Sequence, residues 1–156
     1  MNTDEVLDYA IEMRDIAQET DYTLFDWRTP LRVLVQSGVF TTPQAARILR
    51  MSKQYAQRHI KSLEGPASAD KRSRSGVAGH LDPADLDKIK LLRAMWSVRE
   101  ADMVDGRQRY RSISEAEREL IEDIVNNEEN GVRTLSHLTG VPVQTLYRVR
   151  REGAES

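Results

Sequence analysis

The segment TLSHLTGVPVQTLYRVR, residues 134–150, constrains the fold more than any other part of the chain. Leu135 and Leu138 before Gly140, and Val141, Leu146 and Val149 after it, recur at helical rather than strand spacing. Glycine at the corner accepts a left-handed backbone without a Cβ penalty, and Pro142 suits the start of a helix because its missing N–H would be unpaired there anyway. The pattern predicts two short helices held at a fixed angle across a tight turn, a helix-turn-helix. Gln144, Tyr147, Arg148 and Arg151 then occupy the exposed face of the second helix, where such side chains reach base edges and phosphates. A third helix is expected just upstream: Ser114 and Glu117 have the spacing of a capping box, and Leu120, Ile121, Ile124 and Val125 supply its packing face. Residues 126–131 form the turn between, and residues 153–156 are expected as a frayed tail. Before Ser114, Arg107, Arg109 and Arg111 alternate as suits an extended arm, and arginine is favoured in narrow A·T-rich minor grooves.

Residues 106–151 resemble the C-terminal DNA-binding domain of Hin-type DNA invertases and related serine recombinases. The resemblance is carried by Gly106-Arg107-Gln108-Arg109, by ISEAERELI from Ile113 and by GVPVQTLYR from Gly140, and spans about 46 of 156 residues. It implies an arm lying in the minor groove, Gln144 and Arg148 at base-reading positions, and Thr145 and Tyr147 against the DNA backbone. Gln144 stands where a small hydroxyl residue is usual, which leaves the target sequence open. The catalytic domain that precedes this module in recombinases is not recognisable upstream, which argues against strand exchange.

The upstream chain repeats the logic with different residues. Residues 3–18 read as an amphipathic helix with Val6, Ala10, Met13, Ile16 and Ala17 on one stripe and acids at its start, favourable to the helix dipole. A second helix follows, with Thr29 as N-cap, Pro30 at its first position, an apolar run of Leu31, Val33, Leu34 and Val35, and Gly38 at its end. In residues 41–63, Thr42 caps and Pro43 opens a short helix, and Ala46, Ile48, Leu49 and Met51 fill the interior. Ser52 caps a further helix whose buried line is Ala56, Ile60 and Leu63. Arg50 occupies the corner where glycine is commonest. The Ser-capped helix, its buried line and the closing Leu63-Glu64-Gly65 resemble winged-helix regulators of the MarR type. That resemblance implies a groove-facing surface of Lys53, Gln54, Gln57, Arg58 and Lys61, with His59 as a boundary residue.

Residues 65–79, GPASADKRSRSGVAG, lack apolar periodicity and are either a small β wing with Lys71, Arg72 and Arg74 near its tip or a disordered basic linker. In both cases the basic residues add affinity for phosphates through counterion release. Asp82-Pro83 opens a long helix to about residue 104, with Leu86, Ile89, Leu92, Trp96 and Met103 as its main stripe. About 22 residues give a rod of roughly 33 Å, comparable to the ~34–36 Å between half-sites one DNA turn apart.

The expected fold class is therefore all-α, with the small wing as the one β element in question: tandem helix-turn-helix domains joined by a long helix. The expected boundaries are 1–80 for the N-terminal domain, 81–105 for the linking helix, and 106–156 for the arm and C-terminal domain. The absence of cysteine removes disulfides and thiolate zinc sites, and His59, His80 and His137 are too scattered to form a metal cluster. No cofactor is expected. No apolar run approaches the roughly 20 residues that span a bilayer, and the N-terminus lacks a leader pattern, so a cytoplasmic protein, nucleoid-associated through DNA binding, is the default.

The net charge of −2 conceals a segregated distribution. Residues 1–26 carry eight acids and one base, residues 27–80 ten bases and two acids, and residues 106–114 three bases and no acid. Segregation of this kind leaves one surface positive on a molecule that is nearly neutral. The carboxylates Glu115, Glu117, Glu119, Glu122 and Asp123 read as a solvated helix face rather than a catalytic pair, which would need a cleft. No residue is assigned to bond chemistry, and the chain is not expected to be an enzyme. The sequence points to a sequence-specific double-stranded DNA-binding protein with two reading heads, a transcriptional regulator or repressor. The alternatives are an accessory DNA-binding protein of recombination, transposition, replication or partition, and a protein-interaction module. A homodimer through residues 3–18 or 83–104 is compatible with both stripes.

Overall fold

A computed structural model describes residues 1–20, 26–62, 80–101 and 113–155, without the side chains of residues 61, 62, 99–101, 154 and 155. Among the described residues the chain forms eight α-helices, one 3-10 turn and no strand, so the fold is all-α. It divides into two compact units, Met1–Leu86 and Asp87–Ser156. The expected wing or linker at 65–79 lies outside the described residues.

In the first unit, helix α1 (Thr3–Glu19) is capped by the Asn2 side chain, which accepts from the Glu5 N–H at 2.9 Å. It packs on the two helices that follow. Its buried face is Val6, Leu7, Ala10, Arg14 and Ala17, so the stripe is rotated from the expected one: Leu7 and Arg14 enter the core, and Met13 and Ile16 are half-buried. Burial of Arg14 is compensated by bonds to Pro83 O at 2.7 Å and to the Asp15 carboxylate at 3.0 Å.

Helix α2 (Arg28–Gln36) starts one residue before the expected Thr29 cap. Trp27 holds the N-cap position with helical dihedrals and no side-chain bond, while the Asp26 carboxylate accepts from the Arg28 backbone N–H at 3.1 Å and its Nε at 3.3 Å. The indole of Trp27 is buried, and core packing there outweighs the capping preference of Thr29. The backbone N–H and guanidinium of Arg28 hold the Asp26 carboxyl below the usual carboxylate range. Its contribution to stability is therefore present above that range and is lost as pH falls through the lowered folded value. Gly38, at φ +78°, turns the chain out of α2.

Helix α3 (Thr42–Ile48) is capped by Thr41, not Thr42. The reason is Gln44: placed three residues after Thr41 it closes a capping box, receiving the Thr41 N–H on Oε1 at 3.0 Å while its own N–H bonds Thr41 Oγ1 at 3.4 Å. The helix ends in a Schellman motif, with Arg50 N donating to Arg47 O and Met51 N to Ala46 O. Helix α4 (Lys53–Ser62) follows, its N-terminus capped by Ser52 Oγ, which accepts from Tyr55 N at 3.1 Å.

Asp82 opens the next segment as a cap, but onto a 3-10 turn (Pro83–Asp85) before helix α5 (Leu86–Ala101). Leu86, Ile89, Leu92 and Trp96 are buried as the stripe required, Met103 lies outside the described residues, and Leu91 and Val98 are exposed. From Asp87 onward α5 belongs to the second unit, whereas the sequence suggested a separate linker. Arg93 Nη1 donates to Leu138 O at 3.1 Å, and Lys88 Nζ lies 3.5 Å from the Asp123 carboxylate.

The second unit continues with α6 (Glu115–Val125), α7 (Val132–Thr139) and α8 (Val143–Glu155). The Ser114–Glu117 capping box forms as expected, with bonds of 2.8 and 3.1 Å. It buries Glu117, which therefore leaves the solvated carboxylate face on which the sequence placed it. Gly140 takes φ +84° and bonds Ser136 O. The turn is tightened by Ser136 Oγ donating to Val141 O at 2.6 Å and by Thr139 Oγ1 accepting from Val141 N at 3.2 Å. The expected frayed tail is helical through Glu155; the ion pair of Arg118 with Glu152, at 2.6 Å, secures the end of α8 against α6.

The same three-helix order thus occurs twice, in register, each position in the first trio lying 90 residues before its counterpart in the second. Thr42 and Val132 open the first helix of each pair, Arg50 and Gly140 hold the left-handed corner, and Lys53 and Val143 open the second. Core positions follow the same register: Leu31 with Ile121, Leu34 with Ile124, Ile48 with Leu138, Met51 with Val141, Ala56 with Leu146. The corner carries a testable consequence, because Arg50 pays a steric penalty that Gly140 does not. Arg50→Gly is expected to raise stability by roughly 0.5–1 kcal/mol and Gly140→Ala to lower it by about 1 kcal/mol or more. Urea melts of the two variants check the opposite signs.

Candidate nucleic-acid interface

Helices α4 and α8 position the polar side chains that the sequence singled out. On α4, buried Ala56 faces the core and leaves Lys53, Gln54 and Arg58 exposed and Gln57 half-buried. Lys61 lies on the same helix, its side chain outside the described residues. On α8, buried Leu146 and Val149 set the orientation, with Gln144, Tyr147, Arg148 and Arg151 exposed and Thr145 half-buried. Positions 54, 57, 58 and 61 and positions 144, 147, 148 and 151 have the same spacing, which places each set on a single helical face.

Electrostatics favour an anionic ligand on both faces. Lys53–Ser62 contains Lys53, Arg58 and Lys61 and no acid. On α8, Arg148, Arg150 and Arg151 are exposed, while Glu152 is engaged by Arg118. Among the described residues, Gln54, Arg58, Gln144 and Arg148 make neither ion pairs nor side-chain hydrogen bonds, unlike Arg14, Arg28, Arg93 and Arg118. A charged side chain without an internal partner keeps its full hydrogen-bonding capacity for a ligand.

Lys71, Arg72 and Arg74 of the proposed wing or linker, and Arg107, Arg109 and Arg111 of the arm, lie outside the described residues. Tyr55, 44% exposed and one residue after Gln54, was not among the side chains the sequence singled out. It occupies the position on α4 that Thr145 occupies on α8; the matching register was the signal that could have found it. Among the described residues, no group of three or more histidines and carboxylates is placed to hold a metal ion, and no helix is long and apolar enough to cross a membrane. Compared with known proteins, the chain matches no protein-family model, no curated protein and no solved structure.

Proposed function

We propose that the chain is a sequence-specific double-stranded DNA-binding protein that acts as a transcriptional regulator, using α4 and α8 as recognition helices of two helix-turn-helix heads. The observation that carries this reading is the pair of exposed, basic helix faces, each with unpaired glutamine and arginine side chains four residues apart. Each helix is presented by a short partner helix across a left-handed corner, with its opposite side buried, so the polar face is held rigidly. Glutamine and arginine are the side chains that pair bidentately with adenine and guanine in the major groove. The residues of the arm and of 65–79 add phosphate and minor-groove contacts on this reading, and the site is bipartite.

Binding through about 6–10 phosphates should weaken by roughly 10³–10⁵-fold between 50 and 200 mM salt. Arg148→Ala is expected to cost about 1–3 kcal/mol on the specific site, relaxing preference at one base pair while leaving binding to random duplex nearly unchanged. Fluorescence anisotropy titrations over a salt series check both. Salt-insensitive binding, or equal losses on specific and random DNA, would contradict the reading.

A further inference from the structure

The register between the two trios reaches the exposed faces. Over residues 27–61 and 117–151 only four aligned positions are identical: Arg28 with Arg118, Val35 with Val125, Gln54 with Gln144, and Arg58 with Arg148. Val35 and Val125 are core residues, whose identity packing accounts for. Arg28 and Arg118 are occupied in ion pairs with Asp26 and with Glu122 and Glu152. Gln54, Arg58, Gln144 and Arg148 are exposed and unpaired among the described residues, so neither packing nor an internal bond dictates them. Their neighbours on the same helices differ: Lys53 against Val143, Tyr55 against Thr145, Gln57 against Tyr147.

Resting on the DNA-binding reading above, we infer that the two heads read half-sites sharing a common element, an adenine and a guanine at one fixed spacing, and that they differ at the flanking pairs. The identical pair is placed the same way in each head. Gln54 and Gln144 are the second residues of their helices, each four positions after a left-handed corner and three after a buried anchor, Met51 or Val141. Four residues of helix rise about 6 Å, so glutamine and arginine reach base pairs one or two steps apart, at the same separation in both heads. Gln57 and Tyr147, which differ in size and hydrogen-bonding capacity, are where the heads diverge: an amide reads a base edge, whereas a phenol one residue before the common arginine contacts backbone or a thymine methyl. The protein therefore binds an imperfect repeat.

The test is selection of bound duplexes from a random library by the full chain, followed by the same selection with Arg58→Ala, Arg148→Ala, Gln54→Ala and Gln144→Ala. The wild-type chain is expected to select two half-sites with the same adenine–guanine spacing. Each arginine variant should lose the guanine preference, by about tenfold or more, in one half-site only, and each glutamine variant the adenine of the corresponding half. Thermal melts matching the wild type confirm that these surface changes leave the fold intact. Specific binding to half-sites of unrelated sequence, or loss at the same base pair for Arg58→Ala and Arg148→Ala, overturns the inference while leaving DNA binding standing. Failure of the wild-type chain to enrich any duplex overturns the DNA-binding reading itself, and the inference with it.

Discussion

Leu146→Ala is expected to destabilise the second unit by about 2–5 kcal/mol. Leu146 has no solvent exposure and lies on the inner face of α8, the helix that packs on both α6 and α7. The cavity left by truncation cannot close by shifting α8. One end of that helix is tied to α6 through Arg118 and Glu152, and the other follows a turn fixed by three bonds around Gly140. A site that cannot collapse sits at the upper end of the cost range, because the cavity term is added to the transfer term. The chain has two tryptophans, Trp27 in the first unit and Trp96 in the second, both buried. In a Trp27→Phe background, the fluorescence of Trp96 follows the second unit alone, and its denaturant midpoint reads the loss directly. A change below about 1 kcal/mol would show that α8 shifts to fill the space and that its face is not rigidly presented.

The second large effect is expected at Arg14. Its guanidinium is buried, and it is the link by which α1 holds the turn at residues 83–85 through Pro83 O. Arg14→Ala removes a charge-assisted bond, leaves Pro83 O with the Leu86 N–H as its donor and opens the space filled by the side chain's stem, a combined loss of about 2–4 kcal/mol. Arg14→Lys keeps the charge but cannot reproduce a fork that bonds Pro83 and Asp15 together, so it should recover only part of the loss. Trp27 fluorescence in a Trp96→Phe background is the readout for this unit. Equal stability of Arg14→Ala and the parent would show that the turn at 83–85 does not depend on α1.

Much of the local structure was legible from residue types. The corner at Gly140, the Ser114–Glu117 box, the buried Leu135, Leu138, Val141, Leu146 and Val149, and the exposed Gln144, Tyr147, Arg148 and Arg151 follow from spacing and capping chemistry that operate within a few residues. The displaced caps at Trp27 and Thr41 mark where a neighbour decided between adjacent candidates. Threonines at 29, 41 and 42 are alike in propensity, and only the burial of Trp27 and the reach of Gln44 separate them. Arg14 was left off the expected apolar stripe of α1, because a long charged residue reads as surface until a backbone carbonyl from far along the chain meets it.

The two helix trios read as differently built in the sequence because four identities in 35 aligned positions leave little to see, and because Arg50 disguises a corner that Gly140 advertises. The backbone does not share that ambiguity, since an arginine and a glycine in the same left-handed conformation make the same turn. By itself the sequence determined an all-helical chain, the order of its helices and the apolar faces of most of them, since these depend on interactions a few residues in range. The tertiary structure decided that α5 belongs from Asp87 onward with the C-terminal helices, that Arg14 is buried against Pro83 O, and that the exposed polar faces of α4 and α8 occur in one register. These depend on which surfaces meet across long stretches of chain, and periodicity records a face without naming what covers it.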